Sequence, residues 1–193
     1  MENRKTTEIL LIGGSAGSIS VLLEVLPQLQ DHLSFPLVVV VHRTSHPESM
    51  LEDLLRFRSR LPVEEVYDKM TLKDACIYLV PADYHLLFEN KRMVSLDCSE
   101  KVNYSRPSID VTFQSAAQIF EEHTAALLLS GANADGIEGL RCIAEKKGAV
   151  FVQDPETAEI AYMPRQALLN LQVDTVLEPR EMASFINQLS TYY

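Results

Sequence analysis

Positive charge, cysteine and long apolar runs are all scarce in this chain. Lys and Arg number 17 against 27 Asp and Glu, a formal net charge of -10, so no overall field draws in nucleic acid or an anionic bilayer. A polyanion would need a local basic patch. The three cysteines, Cys76, Cys98 and Cys142, stand far apart with no C-x-x-C pair, which argues against a disulfide scaffold or a cysteine zinc site and favours a reducing compartment. No apolar run reaches membrane-spanning length. In "MENRKTTEILLIGG" glycines cut the apolar stretch short of a signal sequence. No fixed-period repeat or low-complexity linker breaks the chain. The expectation is a soluble cytoplasmic protein, with no nucleic-acid partner and no membrane insertion.

What is present suffices for a core. With 193 residues, 47% of them hydrophobic, the chain fits one domain over residues 1–193. Short apolar runs alternate with amphipathic ones. "EILLIGG" and "FPLVVVVHR" read as strands covered on both faces, because continuous β-branched and aliphatic runs suit a parallel sheet sheltered by helices. "SISVLLEVLPQLQ" reads as the helix between them, shortened or kinked at Pro27, and "HPESMLEDLLRFRSRL" as the next, with Pro47 and Glu48 in its first turn. The middle segments "LPVEEVY", "CIYLVPAD", "HLLFEN" and "RMVSLDC" are short and punctuated, and predict a small antiparallel elaboration. Regular alternation then resumes: a helix from "RPSIDVTFQSAAQIFEEH", a strand "TAALLLSG", a helix "ADGIEGLRCIAEKKG" and a strand "AVFVQD". A short helix around "YMPRQALLNLQ", a strand near "VDTVLE" and a closing helix follow. The predicted fold is α/β, a doubly wound and mainly parallel sheet with helices on both faces.

Sites in such a fold form outside the carboxyl ends of the strands. After the first strand comes "GGSAGS", after the second His42, after the third "ANADG", and after the fourth Asp154. Ser15 lies in a G-x-S-x-G pattern with Gly13, Gly14 and Gly17. A serine hydroxyl needs a positioned base and donors for an oxyanion, and a phosphate-holding or purely structural turn has the same glycines. His42 is the candidate base, mounted directly behind "VVVV", with a satisfied loop histidine as the plain alternative. His46 and His85 compete with it, whereas His32 and His123 fall at connections away from the strand ends. Asp135 is the candidate orienting carboxylate; a helix cap is its ordinary explanation. Asp154 and Asp83 are alternatives.

These residues together resemble the catalytic domain of the bacterial chemotaxis receptor methylesterase. The resemblance runs from about Ile9 to the carboxyl-terminal region, through "IGGSAGS", "VVVVHR", "YLVPADYH", "RPSIDVTFQSAA", "LLLSGANADGIEGL" and "AVFVQDPETAEIAYMPRQAL". It implies that Ser15 is nucleophile, His42 base and Asp135 acid, in a Ser–His–Asp chain order unlike that of α/β-hydrolases. It also implies hydrolysis of glutamyl methyl esters on a receptor's cytoplasmic helical bundle, with deamidation of glutamines by the same route and no metal or organic cofactor. Amides near Ala16 or Ala132 would receive the oxyanion, and Arg106, Pro107, Met163 and Arg165 would border the active face.

The sequence departs from the family pattern in two loops. Ala16, Gly17 and Ser18 stand where threonine and two glycines are usual, and Ala132, Asn133 and Ala134 where methionine, glycine and asparagine are usual. The second change bears on the direction of an oxyanion amide. No receiver segment stands ahead of Ser15, so the expectation is a stand-alone catalytic unit, exposed or governed by a separate receiver protein. Two other functions remain on the sequence: a receptor-binding module with weak turnover, and a nucleotide-binding α/β protein using Arg43 on a phosphate.

Overall fold

The structure, a computed structural model, describes residues 6–43 and 50–190. His46, Pro47 and Glu48 lie outside the described residues. In chain order the elements are β1 (Ile9–Gly14), α1 (Ser18–Val25), β2 (Leu37–Val41), α2 (Leu51–Arg58), β3 (Val63–Glu65), β4 (Ile77–Leu79), β5 (His85–Phe88) and β6 (Val94–Asp97). Then follow α3 (Ile109–Phe120), β7 (Thr124–Leu128), α4 (Ile137–Glu145), β8 (Ala149–Gln153), α5 (Tyr162–Asn170), β9 (Thr175–Leu177) and α6 (Pro179–Leu189). Pro27 falls in a single 3-10 turn, Leu26–Gln28, directly after α1. Its ring cannot donate to the helix ladder, so α1 stops short.

Seven strands form one sheet in the order β3-β4-β2-β1-β7-β8-β9, and each neighbouring pair is parallel. The period-two alternation of strand side chains divides the core. Ile9 and Leu11 of β1 face one apolar layer with Ile109, Phe113, Leu140 and Met163, while Leu10 and Ile12 face the other with Leu22, Leu55 and Met182. Helices α3, α4 and α5 therefore cover one face and α1, α2 and α6 the other. Strand order reverses at β1, which lies between β2 and β7. That reversal opens a crevice at the strands' carboxyl ends.

The expected architecture holds, with one redistribution. Among the described residues β5 and β6 form the antiparallel strand pair; "LPVEEVY" and "CIYLVPAD" instead supply β3 and β4 to the parallel sheet. Val63, Ile77, Tyr78 and Leu79 are buried, but each strand is three residues long. β3, with Glu64 and Glu65, lacks the continuous apolar signature of a covered strand, whereas the buried run Cys76–Val80 around β4 has it.

Candidate active site

The end of β1 is shaped by what its glycines admit. A Cβ on Gly13 would lie 2.6 Å from the Ile109 side chain, so glycine lets the start of α3 press against β1. Gly17 has φ +81, a left-handed conformation that costs a residue with a Cβ strain. Between them Ser15 is fixed through its backbone. Its N–H donates to the Ser130 carbonyl at 2.9 Å, and its carbonyl accepts from the Ser18 hydroxyl at 2.6 Å and the Ser18 amide at 3.0 Å. Ser130, just beyond β7, also donates its hydroxyl to the Ala16 carbonyl at 2.7 Å. The β1 and β7 loops are thus stitched together beneath the Ser15 side chain.

His42 continues the line of β2, its N–H donating to the Gly14 carbonyl at 3.2 Å. Its Nε2 lies 2.7 Å from Asp135 Oδ2, and the two side chains are 12% and 0% exposed. A carboxylate accepts only, so in the neutral ring Nε2 carries the proton and Nδ1 the lone pair. Asn133 Nδ2 lies 3.4 Å from that Nδ1. Among the described residues no hydrogen bond joins Ser15 Oγ to His42. The Ala16 and Gly17 amides, beside Ser15, likewise take no hydrogen-bond partner among the described residues.

Asp135 is held far more firmly than a single imidazole requires. Its Oδ1 accepts from the Ser108 hydroxyl at 2.8 Å, from Asn103 Nδ2 at 3.1 Å and from the Asp110 amide at 3.1 Å, and its Oδ2 accepts from the Ile109 amide at 2.7 Å. Burial works against the charge, but His42, the two amides and Asn103 outweigh it and hold the carboxyl below its ordinary range. The plain alternative, a cap on its own helix, is not the role of its side chain. Gly136, not Asp135, is the N-cap of α4, and Asp135 binds the N-terminus of α3, where free amides and the helix dipole favour an anion.

Of the other histidines, His85 is buried and structural in its contacts. Its Nδ1 accepts from the Ser108 amide at 3.1 Å and its Nε2 donates to the Glu100 carbonyl at 3.0 Å, so it steadies the residue that steadies Asp135. His32 pairs with Asp31 and His123 with the Thr6 carbonyl. Asp154 caps a 3-10 turn through the Glu156 amide, while Asp83 lines a cleft beside His42. Arg106 and Pro107 line the same cleft. Met163 is fully buried, its amide donates to the Gly131 carbonyl at 2.9 Å, and a Cβ on Gly131 would lie 2.5 Å from Met163 Cε and 3.1 Å from Ser15 Cβ. Ala132 is exposed on the loop after β7. Arg165, in α5, donates from its guanidinium to Glu156 at 3.0 Å.

Sequence reasoning missed Ser108, Asp110, Asn103 and the contact of Asn133 with the imidazole. Asp110 is the least expected. Its Oδ1 accepts from the amides of Gly136 and Gly139 at 2.9 and 2.7 Å, and its Oδ2 accepts from Asn103 Nδ2 at 2.8 Å. Burial pushes its carboxyl up to about 6, opposed by the Gly139 amide and reinforced by the charge of Asp135. A signal existed in "RPSID", where a helix cap and an acidic first turn coincide, but nothing local named their partners.

Comparison with known proteins bears on this arrangement. The CheB methylesterase family model matches residues 10–186. A Leptospira interrogans protein provisionally named a protein-glutamate methylesterase/protein-glutamine glutaminase is 38% identical over 182 residues, covering 94% of both chains. The protein-glutamate methylesterase/protein-glutamine glutaminase of Thermotoga maritima is 32% identical over 173 residues, 88% of this chain and 50% of the relative. The crystal structure of the Thermotoga maritima CheB methylesterase catalytic domain superposes with a TM-score of 0.90 at 30% identity, covering 96% of this chain and all of that one. On the extent of these matches, the chain belongs to the CheB methylesterase family.

Proposed function

We propose that the chain is a serine hydrolase that removes methyl esters from glutamate side chains of chemotaxis receptors. The observation that carries this reading is the 2.7 Å contact between His42 Nε2 and a fully buried Asp135, at the same end of the sheet as Ser15. A buried carboxylate on one ring nitrogen fixes the tautomer and leaves the other nitrogen basic. His42 Nδ1 takes the proton of Ser15 Oγ as that oxygen attacks the ester carbonyl, and the Ala16 and Gly17 amides receive the oxyanion. The tetrahedral intermediate expels methanol, which leaves with the proton from His42. Water, deprotonated by the same nitrogen, cleaves the acyl-enzyme and restores Ser15 and a glutamate carboxylate. Glutamine deamidation follows the same path with ammonia as the leaving group.

The substrate segment we assign is the cytoplasmic helical bundle of a methyl-accepting receptor, and the reaction belongs in the cytoplasm. Among the described residues no helix is long and apolar enough to cross a membrane. Methanol released from methylated receptor measures the activity; wild type should release it, and Ser15→Ala should not. Equal release by both would sink the serine mechanism.

A second reading is a receptor-binding module with slow turnover. It is favoured by Asn133, whose amide faces the nitrogen that must accept the Ser15 proton. Under saturating receptor, an intact methyl ester after prolonged incubation with wild type would select it.

A further inference from the structure

Beside His42 the surface opens into a cleft of ≈ 690 Å³. His42 and Arg43 form one wall, and Asp83, Lys101, Tyr104 and Arg106 line the rest. Its charge runs against that of the molecule. The chain carries -10, yet the cleft gathers three permanent cations against one carboxylate.

These cations differ in what they are free to bind. Arg43 is committed to Glu65 and to the Val80 carbonyl. Arg106 Nη1 donates to the carbonyls of Cys98 and Ser99 at 2.7 and 2.5 Å, neutral acceptors that orient the guanidinium and leave its charge in place. Its Nε, like that of Arg43, is buried without a hydrogen-bond partner. Lys101 is exposed. Neither Lys101 nor Arg106 forms an ion pair among the described residues. Asp97 is held below the usual carboxylate range, by the Ser99 hydroxyl first and by Arg106 last, but it does not pair with the guanidinium. With Arg43 and Glu65 cancelling, Lys101 and Arg106 still outweigh Asp83.

The cleft is also tied to the reacting groups. Asn103, between Lys101 and Tyr104 in sequence, reaches inward to Asp135 Oδ1 at 3.1 Å and Asp110 Oδ2 at 2.8 Å. That clamp holds the cationic segment at a set place relative to His42. A neutral methyl ester at Ser15 has no use for cations there, whereas a charged neighbour on the same polypeptide does.

We propose that this cleft is a subsite for an anionic side chain, a glutamate or aspartate carboxylate of the polypeptide whose ester is cleaved at Ser15. The proposal rests on the esterase reading for the identity of that polypeptide. A bound carboxylate accepts from the Arg106 guanidinium, the Lys101 ammonium and the Tyr104 hydroxyl, and directs the enzyme to esters flanked by free acids.

The test is binding to Ser15→Ala protein, which cannot acylate. Two fluorescein-labelled peptides carry one central glutamyl methyl ester, flanked in one by glutamates and in the other by glutamines. Fluorescence anisotropy should show the acidic peptide bound about tenfold more tightly at low salt, with the advantage shrinking as salt rises. Lys101→Gln with Arg106→Gln should abolish it. Because Arg106 also anchors two carbonyls, Lys101→Glu alone provides a second variant at an exposed position, and it should weaken the acidic peptide several-fold relative to the neutral one. Equal affinity for the two peptides, or an advantage that survives these substitutions, would overturn the subsite. Loss of ester cleavage in wild type with the acidic advantage intact would overturn the esterase reading alone.

Discussion

Asp135 and Asp110 exchange helix termini. Asp135, which precedes α4, accepts the Ile109 and Asp110 amides that open α3, while Asp110, in the first turn of α3, accepts the Gly136 and Gly139 amides that open α4. Asn103 donates to both carboxyls. Each helix start is satisfied by an acid from the other, so the place of the carboxylate behind His42 is set by the packing of α3 on α4.

The exchange makes stability depend on pH through Asp110. Its carboxyl is raised to about 6 in the folded protein, against ~3.9 for an unfolded chain. Between those values the folded state binds more proton, so stability is fully present below the unfolded value and falls as pH rises through the folded one. Urea unfolding of wild type and Asp110→Asn from pH 4 to 7.5 should show the wild type losing up to about 3 kcal/mol relative to the variant. A pH-independent difference would contradict the burial of this charge.

Asp135→Asn should lower both stability and activity. The carboxylate accepts one side-chain hydroxyl, two amides, one asparagine and one imidazole, and an amide nitrogen in its place turns at least one of these donors against another. The expected losses are about 3 kcal/mol by urea unfolding and roughly 10³-fold in kcat. Unchanged stability would mean that the anchoring is weaker than its geometry.

Two glycine substitutions should separate fold from chemistry. A Cβ on Gly139 would meet Phe113 Cβ at 2.5 Å and Asp110 backbone at 3.2 Å, so Gly139→Ala should wedge α3 from α4 and cost about 1–3 kcal/mol. Gly131→Ala meets the flexible Met163 tip and then Ser15 Cβ. It should keep most of its stability and lose about tenfold or more in ester hydrolysis through displacement of Ser15. Thermal melts beside rate measurements check the pair, and the reverse pattern would contradict both assignments.

Much of this was legible in the sequence because the reacting residues follow long apolar runs. "VVVV" ends at His42 and "ALLLSG" shortly before Asp135, and a buried parallel strand delivers whatever follows it to the site. The partners of Asp135 were not legible. Ser108, Asp110 and Asn103 act across a helix-helix interface, which a local capping rule cannot see, and that rule pointed Asp135 at the wrong helix. β3 was grouped with the hairpin because Glu64 and Glu65 mask a short strand, and β4 because its apolar run is short and ends at Pro81.

The most direct test of the central claim, that Ser15 is a nucleophile activated by His42, is covalent labelling with a fluorophosphonate followed by peptide mass mapping. The expected result is one adduct on Ser15, formed at least about 10³-fold more slowly in His42→Ala. An adduct elsewhere, or labelling of Ser15 at the same rate without the imidazole, would contradict it.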